Sequence, residues 1–95
     1  MKQRTLGKSG LNVSEVGLGA WQLGGDFGPV EDSRAEAILE AADESGISFW
    51  DTADVYGGGL SESRIGSYIA ERPGERIVVT KVGRDAELYL SLIHI

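Results

Sequence analysis

Asp51 and Tyr56 stand five positions apart in the stretch "FWDTADVYG", and Lys81 closes the run "RIVVTK". A tyrosine, with an ordinary pKa of about 10, is a usable proton donor or acceptor near neutral pH only beside a cation that stabilises its phenolate. Lys81 can be that cation, and a carboxylate such as Asp51 can keep a partly desolvated ammonium charged. Taken singly, each has an ordinary account: a turn hydrogen bond for Asp51, cover for the core rim for Tyr56, a solvated strand end for Lys81. Taken together they describe a proton-transfer centre, provided the fold brings the three positions to one place.

The elements that must do so can be read along the chain. "RTL" and "LNV" flank "GKSG", whose residues suit a tight turn, so a small β-hairpin is expected first. A strand over residues 15–18 leads into "AWQLGGDFGPVED", a glycine-rich loop of about a dozen residues, a length often associated with function. "SRAE" has the form of a capping box, which predicts a helix capped by Ser33 with Glu36 reaching back. Ala35, Ile38, Leu39 and Ala42 keep the spacing of one apolar helical face, Glu36, Glu40 and Glu44 fall off it, and Gly46 suits the left-handed position that ends a helix. "ISFWDT" reads as the next strand and "ADVYGGGL" as a second loop. Ser61 or Ser63 is then expected to cap a helix through Ile65, Tyr68 and Ile69 that "RPGE" terminates. "RIVVTKVG" is a further strand, whose β-branched run predicts burial on both faces.

Strand, helix, strand, helix, strand with short links implies an α/β fold with a parallel sheet and right-handed crossovers. An open doubly wound sheet and part of a (β/α)8 barrel both fit. Both place ligands beyond the carboxyl ends of the strands, here at Gly19, Ala20 and Trp21, from Asp51 to Tyr56, and from Lys81 to Arg84.

Other motifs fare less well. "GLGAWQLGG" lacks the G-x-G-x-x-G spacing of a dinucleotide fingerprint, and "DFG" from Asp26 to Gly28 has neither the strand lysine nor the catalytic loop of a kinase. "GGG" at Gly57, Gly58 and Gly59 is not followed by G-K-[ST], so it reads as a flexible loop. With no cysteine and one histidine, neither a disulfide framework nor a thiolate zinc site is available, and no metal is expected. A net charge of -6 argues against nucleic acid, and no run of about eighteen apolar residues suggests a membrane span. A cytoplasmic protein with a small-molecule partner is expected.

Taken in order, "RTLGKSGLNVSEVGLGAW", "FWDTADVYGGGLSE" and "IVVTKVGR" resemble the amino-terminal part of an aldo-keto reductase, from about Lys2 to Arg84. The resemblance implies a (β/α)8 TIM barrel that binds NADPH, or less often NADH, without a Rossmann fold. It implies reduction of aldehyde, ketone or sugar carbonyls, or the reverse, with a tetrad of Asp, Tyr, Lys and His. By motif Asp51, Tyr56 and Lys81 take the first three roles. Trp21 resembles the residue lining the nicotinamide and substrate pocket, and Gly19, Ala20, Trp21 and Asp51 are expected to border the cofactor.

The chain also departs from that pattern. His94 follows Lys81 by only thirteen positions, too few for a helix and a fourth strand, so it is not expected to be the tetrad histidine. Residues 1–85 read as a partial barrel domain and residues 86–95 as a tail outside the family, an expected artefact of the reading frame. A whole barrel takes about 250 residues, so this stretch holds the hairpin, three strands and two helices of one and is expected to be inactive alone. Two further readings stand beside the enzyme: a non-catalytic binding subunit of the channel-associated kind, and a self-contained three-stranded binding module.

Overall fold

A computed structural model describes residues 1–83. Arg84, the expected domain boundary at 85, the tail 86–95 and His94 lie outside the described residues.

The first strands, β1 (Gln3–Thr5) and β2 (Asn12–Ser14), pair antiparallel as the expected hairpin, with Arg4 opposite Val13. Its turn closes through the Leu6 carbonyl, which accepts from both the amide and the hydroxyl of Ser9, while Gly7 and Gly10 take the left-handed conformation. Ser14 anchors the hairpin to the sheet: its hydroxyl donates to the Val16 carbonyl at 2.6 Å and accepts from the Ser48 amide at 2.9 Å.

Three strands follow in parallel, in the order β3 (Gly17–Gly19), β4 (Phe49–Asp51) and β5 (Ile77–Val79). Register sets Leu18, Trp50 and Val78 in one row and Gly19, Asp51 and Val79 in the next, at the carboxyl edge. Helices α1 (Asp32–Glu44) and α2 (Leu60–Glu71) make the two crossovers. Ala35, Leu39 and Ala42 of α1, Ile65 and Tyr68 of α2, and Trp50, Ala20 and Leu23 form the core, with Ile38, Ile47 and Ile69 packed on it. Trp50 is wholly buried, and its indole N–H finds the Ile47 carbonyl at 2.7 Å, so the ring carries no unmet donor.

Helix ends follow tertiary contacts more than local motifs. Ser33 does not cap α1: the helix opens at Asp32, with Glu31 at the N-cap and no side-chain cap. The reason is Arg64 of α2, which donates to the carbonyls of Leu23 and Val30 and to Asp32, fixing the chain's entry just ahead of Ser33. The other end matches expectation, for Gly46 is left-handed, its amide bonds the Asp43 carbonyl, and the Ile47 amide bonds that of Ala42, the two bonds of a Schellman motif. Neither Ser61 nor Ser63 caps α2. The three positive-φ glycines at Gly57, Gly58 and Gly59 turn the chain directly into Leu60, and Ser61 is buried in other work. At the far end Arg72 leaves the helical region, as the residue before a proline must.

The expectation that β5 is covered on both faces fails. Ile77 and Val79 are half-buried and Val78 is 38% exposed, because β5 has a strand neighbour on one side only among the described residues and the helices centre on Trp50.

A polar clasp that the sequence did not announce joins α1, α2 and the approach to β5. Arg76 forks onto Asp43, Nε to Oδ1 at 2.8 Å and Nη2 to Oδ2 at 2.6 Å, while Tyr68 donates to Oδ2 at 2.6 Å. The third guanidinium nitrogen reaches the Arg72 carbonyl, and the cation lies over the rings of Trp50 and Tyr68. The hydrogen bond from Arg76 holds the Asp43 carboxyl below its usual range against the opposing effect of burial, with Tyr68 adding to the lowering. Burial, and then Asp43, raises the Tyr68 hydroxyl, which stays the donor.

Arg76→Ala leaves that partly buried carboxylate without its cation, with Tyr68 still donating to it, so a loss of about 2–3 kcal/mol is expected in denaturant unfolding at neutral pH. Because the folded Asp43 pKa lies below the unfolded value, the pair stabilises above about pH 4 and fades as pH falls through the lowered pKa. The gap between wild type and variant should close in acid. A gap that is constant from pH 7 to pH 3 would show that lost packing, not the ion pair, sets the cost.

Candidate active site

At the carboxyl edge of the sheet the strand ladder runs on past the strands. The Ala20 amide bonds the Asp51 carbonyl at 2.9 Å, the Thr52 amide that of Val79 at 2.8 Å, and the Asp54 amide that of Lys81 at 3.1 Å. These bonds carry Lys81 alongside the β4 exit. Its ammonium then uses all three of its donors, on Asp51 Oδ1 at 2.7 Å, the Thr52 carbonyl at 2.7 Å and the Tyr56 hydroxyl at 3.3 Å. The hydrogen bond to Asp51 raises the Lys81 pKa above the ordinary lysine value, opposed by desolvation and helped by Tyr56, so the cation persists throughout the neutral range. The three positions that the sequence singled out therefore meet around one nitrogen.

Beneath them lies Ser61. Its hydroxyl donates to the Ala20 carbonyl at 2.8 Å, which leaves it to accept from the Thr52 hydroxyl at 2.7 Å. This buried chain ties the start of α2 to the ends of β3 and β4 and so sets where the intervening loop begins.

Tyr56 opens a tight turn, Tyr56–Gly59, with Gly57 and Gly58 left-handed, that packs backbone to backbone on the 3-10 helix Trp21–Gly24. A Cβ added at Gly57 would lie 2.1 Å from the Gly24 carbonyl oxygen, and one at Gly24 would lie 2.4 Å from the Tyr56 carbonyl carbon. Trp21 stacks on Tyr56, with ring centroids 5.9 Å apart and planes 21° from parallel, and meets Phe27 edge-on at 4.5 Å. Asp26 accepts from the Trp21 indole and from the Gly57 amide.

The expected cofactor-bordering residues divide. Gly19 sits at the edge with no heavy atom within 4 Å of where a Cβ would stand, and Trp21 is half exposed. Ala20 is wholly buried, with both backbone groups engaged, and holds its neighbours in place. Asp26 and Phe27, weighed only as part of a kinase-like "DFG" and set aside, and the Gly24–Gly57 contact were missed; beyond that motif, the unusual length and glycine content of the first loop were their trace in the sequence. The groove of about 430 Å³ between α1 and α2 lies elsewhere, past Glu36, Ser63 and Arg72, and contains none of the residues at the strand ends.

The fold and this edge define an α/β protein of the strand-helix repeat class with its polar centre at the carboxyl ends of parallel strands. The Aldo/keto reductase family model matches residues 15–90, and the chain belongs to that family. It is 43% identical over 83 residues to pyridoxal 4-dehydrogenase of Microbacterium luteolum, covering 87% of this chain and 24% of that protein. To L-galactose dehydrogenase of Arabidopsis thaliana it is 46% identical over 87 residues, covering 88% and 27%. The structure of an aldo-keto reductase from Bacillus halodurans in its holo form superposes with a TM-score of 0.77 at 40% identity, covering 87% of this chain and 26% of that one. The chain thus spans about a quarter of the length of the relatives it matches. No helix among the described residues is long and apolar enough to cross a membrane.

Proposed function

We propose that the protein containing this segment is a nicotinamide-dependent oxidoreductase that reduces aldehydes or ketones, sugar carbonyls among them, or runs the reverse oxidation. The observation that carries this reading is the Lys81 ammonium, which sits between the Asp51 carboxylate and the Tyr56 hydroxyl beside an exposed aromatic face. Tyr56 is the acid: its hydroxyl gives a proton to the carbonyl oxygen during reduction and regains it in the reverse direction. Lys81 stabilises the negative charge left on the phenolic oxygen, and Asp51 holds Lys81 in place and charged. General acid help of this kind contributes about 10²–10⁴-fold, with much of the remainder from holding the reactants in reacting geometry.

The residues present suit the nicotinamide end of the cofactor. Gly19 leaves open space at the strand edge, the Trp21 ring offers a flat face, and the half-exposed Asp51 carboxylate supplies a polar acceptor. Gly19, Trp21 and Asp51 would hold it, with Ala20 as the buried support, and NADPH is the proposed form, NADH also being compatible. When bound, the cofactor supplies the hydride for the carbonyl carbon. The family relation supports a fold of the (β/α)8 barrel type.

The test is nicotinamide oxidation by the complete protein with a panel of aldehydes, ketones and sugars. Turnover that depends on Tyr56 supports the reading. Cofactor binding without turnover on any of them would favour a binding subunit instead.

A further inference from the structure

Asp26 has no part in the chemistry outlined above, yet one of its oxygens reaches both sides of Tyr56. Oδ2 accepts from the Trp21 indole Nε1 at 3.2 Å and from the Gly57 amide at 3.0 Å. The first donor belongs to the ring stacked on Tyr56, and the second belongs to the next residue in the chain. The two donors also lie on different loops, 21 and 57, whose backbones touch at Gly24 and Gly57 with no room for a methyl group.

The loops need such a tie. Trp21 is half exposed, and its 3-10 helix has no side-chain cap and ends at Gly25 in the left-handed conformation. Gly57, Gly58 and Gly59 all have positive φ, so the segment carrying Tyr56 consists of residues with the widest conformational freedom. Phe27, edge-on to Trp21, is itself 65% exposed and gives the indole no buried support. Without Asp26 the ring and the amide lose their common acceptor, and the two loops keep their backbone contact at Gly24 and Gly57 but lose the side chain that joins the neighbours of Tyr56.

We propose that Asp26 is a positioning residue that clamps the Trp21 loop to the Tyr56 loop and thereby keeps the Tyr56 hydroxyl in register with Lys81. The clamp acts through hydrogen-bond acceptance, not charge, and its catalytic consequence rests on the reading of Tyr56 as the acid. Because a single oxygen takes both bonds, an amide oxygen can replace it, whereas a methyl group cannot.

The experiment compares Asp26→Asn and Asp26→Ala in the complete protein, with Tyr56→Phe alongside. Misplacement of a reacting group on the scale of 1 Å costs about 10²-fold, so Asp26→Ala is expected to lower kcat by about 10- to 100-fold, while Asp26→Asn stays within about threefold of wild type. A second readout does not need turnover: solvent exchange of the Trp21 indole N–H by NMR, slow in wild type and Asp26→Asn, fast in Asp26→Ala. The Trp50 indole, bonded to Ile47, serves as the reference for an intact core and should not change.

Wild-type turnover in Asp26→Ala overturns the proposal, and so does an Asp26→Asn variant as impaired as Asp26→Ala, which would assign the effect to charge. Unchanged Trp21 indole exchange in Asp26→Ala overturns it as well. If wild type shows no carbonyl turnover the reductase reading falls, and if Tyr56→Phe leaves turnover intact Tyr56 is not the acid; in either case the indole exchange alone decides whether the clamp exists.

Discussion

With Tyr56 as the proposed acid, Tyr56→Phe is expected to lower carbonyl reduction by the complete protein by about 10²–10⁴-fold, the range of a lost general acid, while cofactor affinity stays within about threefold. The substitution removes one oxygen and keeps the ring, so the stacking on Trp21 and the backbone contact at Gly57 survive. Lys81 keeps two of its three acceptors, Asp51 and the Thr52 carbonyl, and stays where it is. The loss should therefore fall on kcat, with the KM for the nicotinamide little changed, the pattern of an interaction that matters in the transition state. Steady-state kinetics together with a cofactor titration separate the two quantities. Turnover within a few-fold of wild type would remove Tyr56 from the chemistry.

Lys81→Met is expected to cost a similar factor, again about 10²-fold or more in kcat. Methionine fills much of the same volume but offers no donor, leaving Asp51 without its cation and the phenolic oxygen without support when its proton departs. Lys81→Arg should not restore activity. The ammonium addresses three acceptors in three directions, and a planar guanidinium on a longer stem cannot match that arrangement. If Lys81 acts through Tyr56 as proposed, the double variant should be little worse than either single one. Additive losses would mean that the lysine contributes to the reaction independently of the tyrosine. The raised Lys81 pKa adds a check: in wild type no loss of activity attributable to this group should occur until pH exceeds the ordinary lysine range.

The parts of the fold legible in the sequence are those encoded within a few residues. The apolar face of α1, the glycine at position 46 and the alternation of strands with helices depend on local spacing, and so does the delivery of Asp51, Tyr56 and Lys81 to one sheet edge. The helix starts were misread for the opposite reason. Ser33 and Ser61 have the right residue type for caps, but Arg64, from a different helix, and the glycine run before Leu60 decide where the helices open. Val78 looked like a central strand residue because β-branched character reports strand preference and not how many neighbours a strand has. Asp26 and the Asp43–Arg76 fork join residues 31 to 33 positions apart. Such pairings leave no periodic mark, so only the folded backbone displays them.

The meeting of Gly24 with Gly57 also bears on how this protein can be altered. Loops at the carboxyl edge of a barrel are usually regarded as interchangeable parts, each free to be exchanged for another to change the substrate. Here two of them fit together at the level of the peptide backbone, and a side chain at either glycine would collide with the main chain of the other. The pair therefore behaves as one transferable unit: a chimaera that imports either loop from a relative without its companion inherits a mismatch, whereas one that moves both together carries the fit with it.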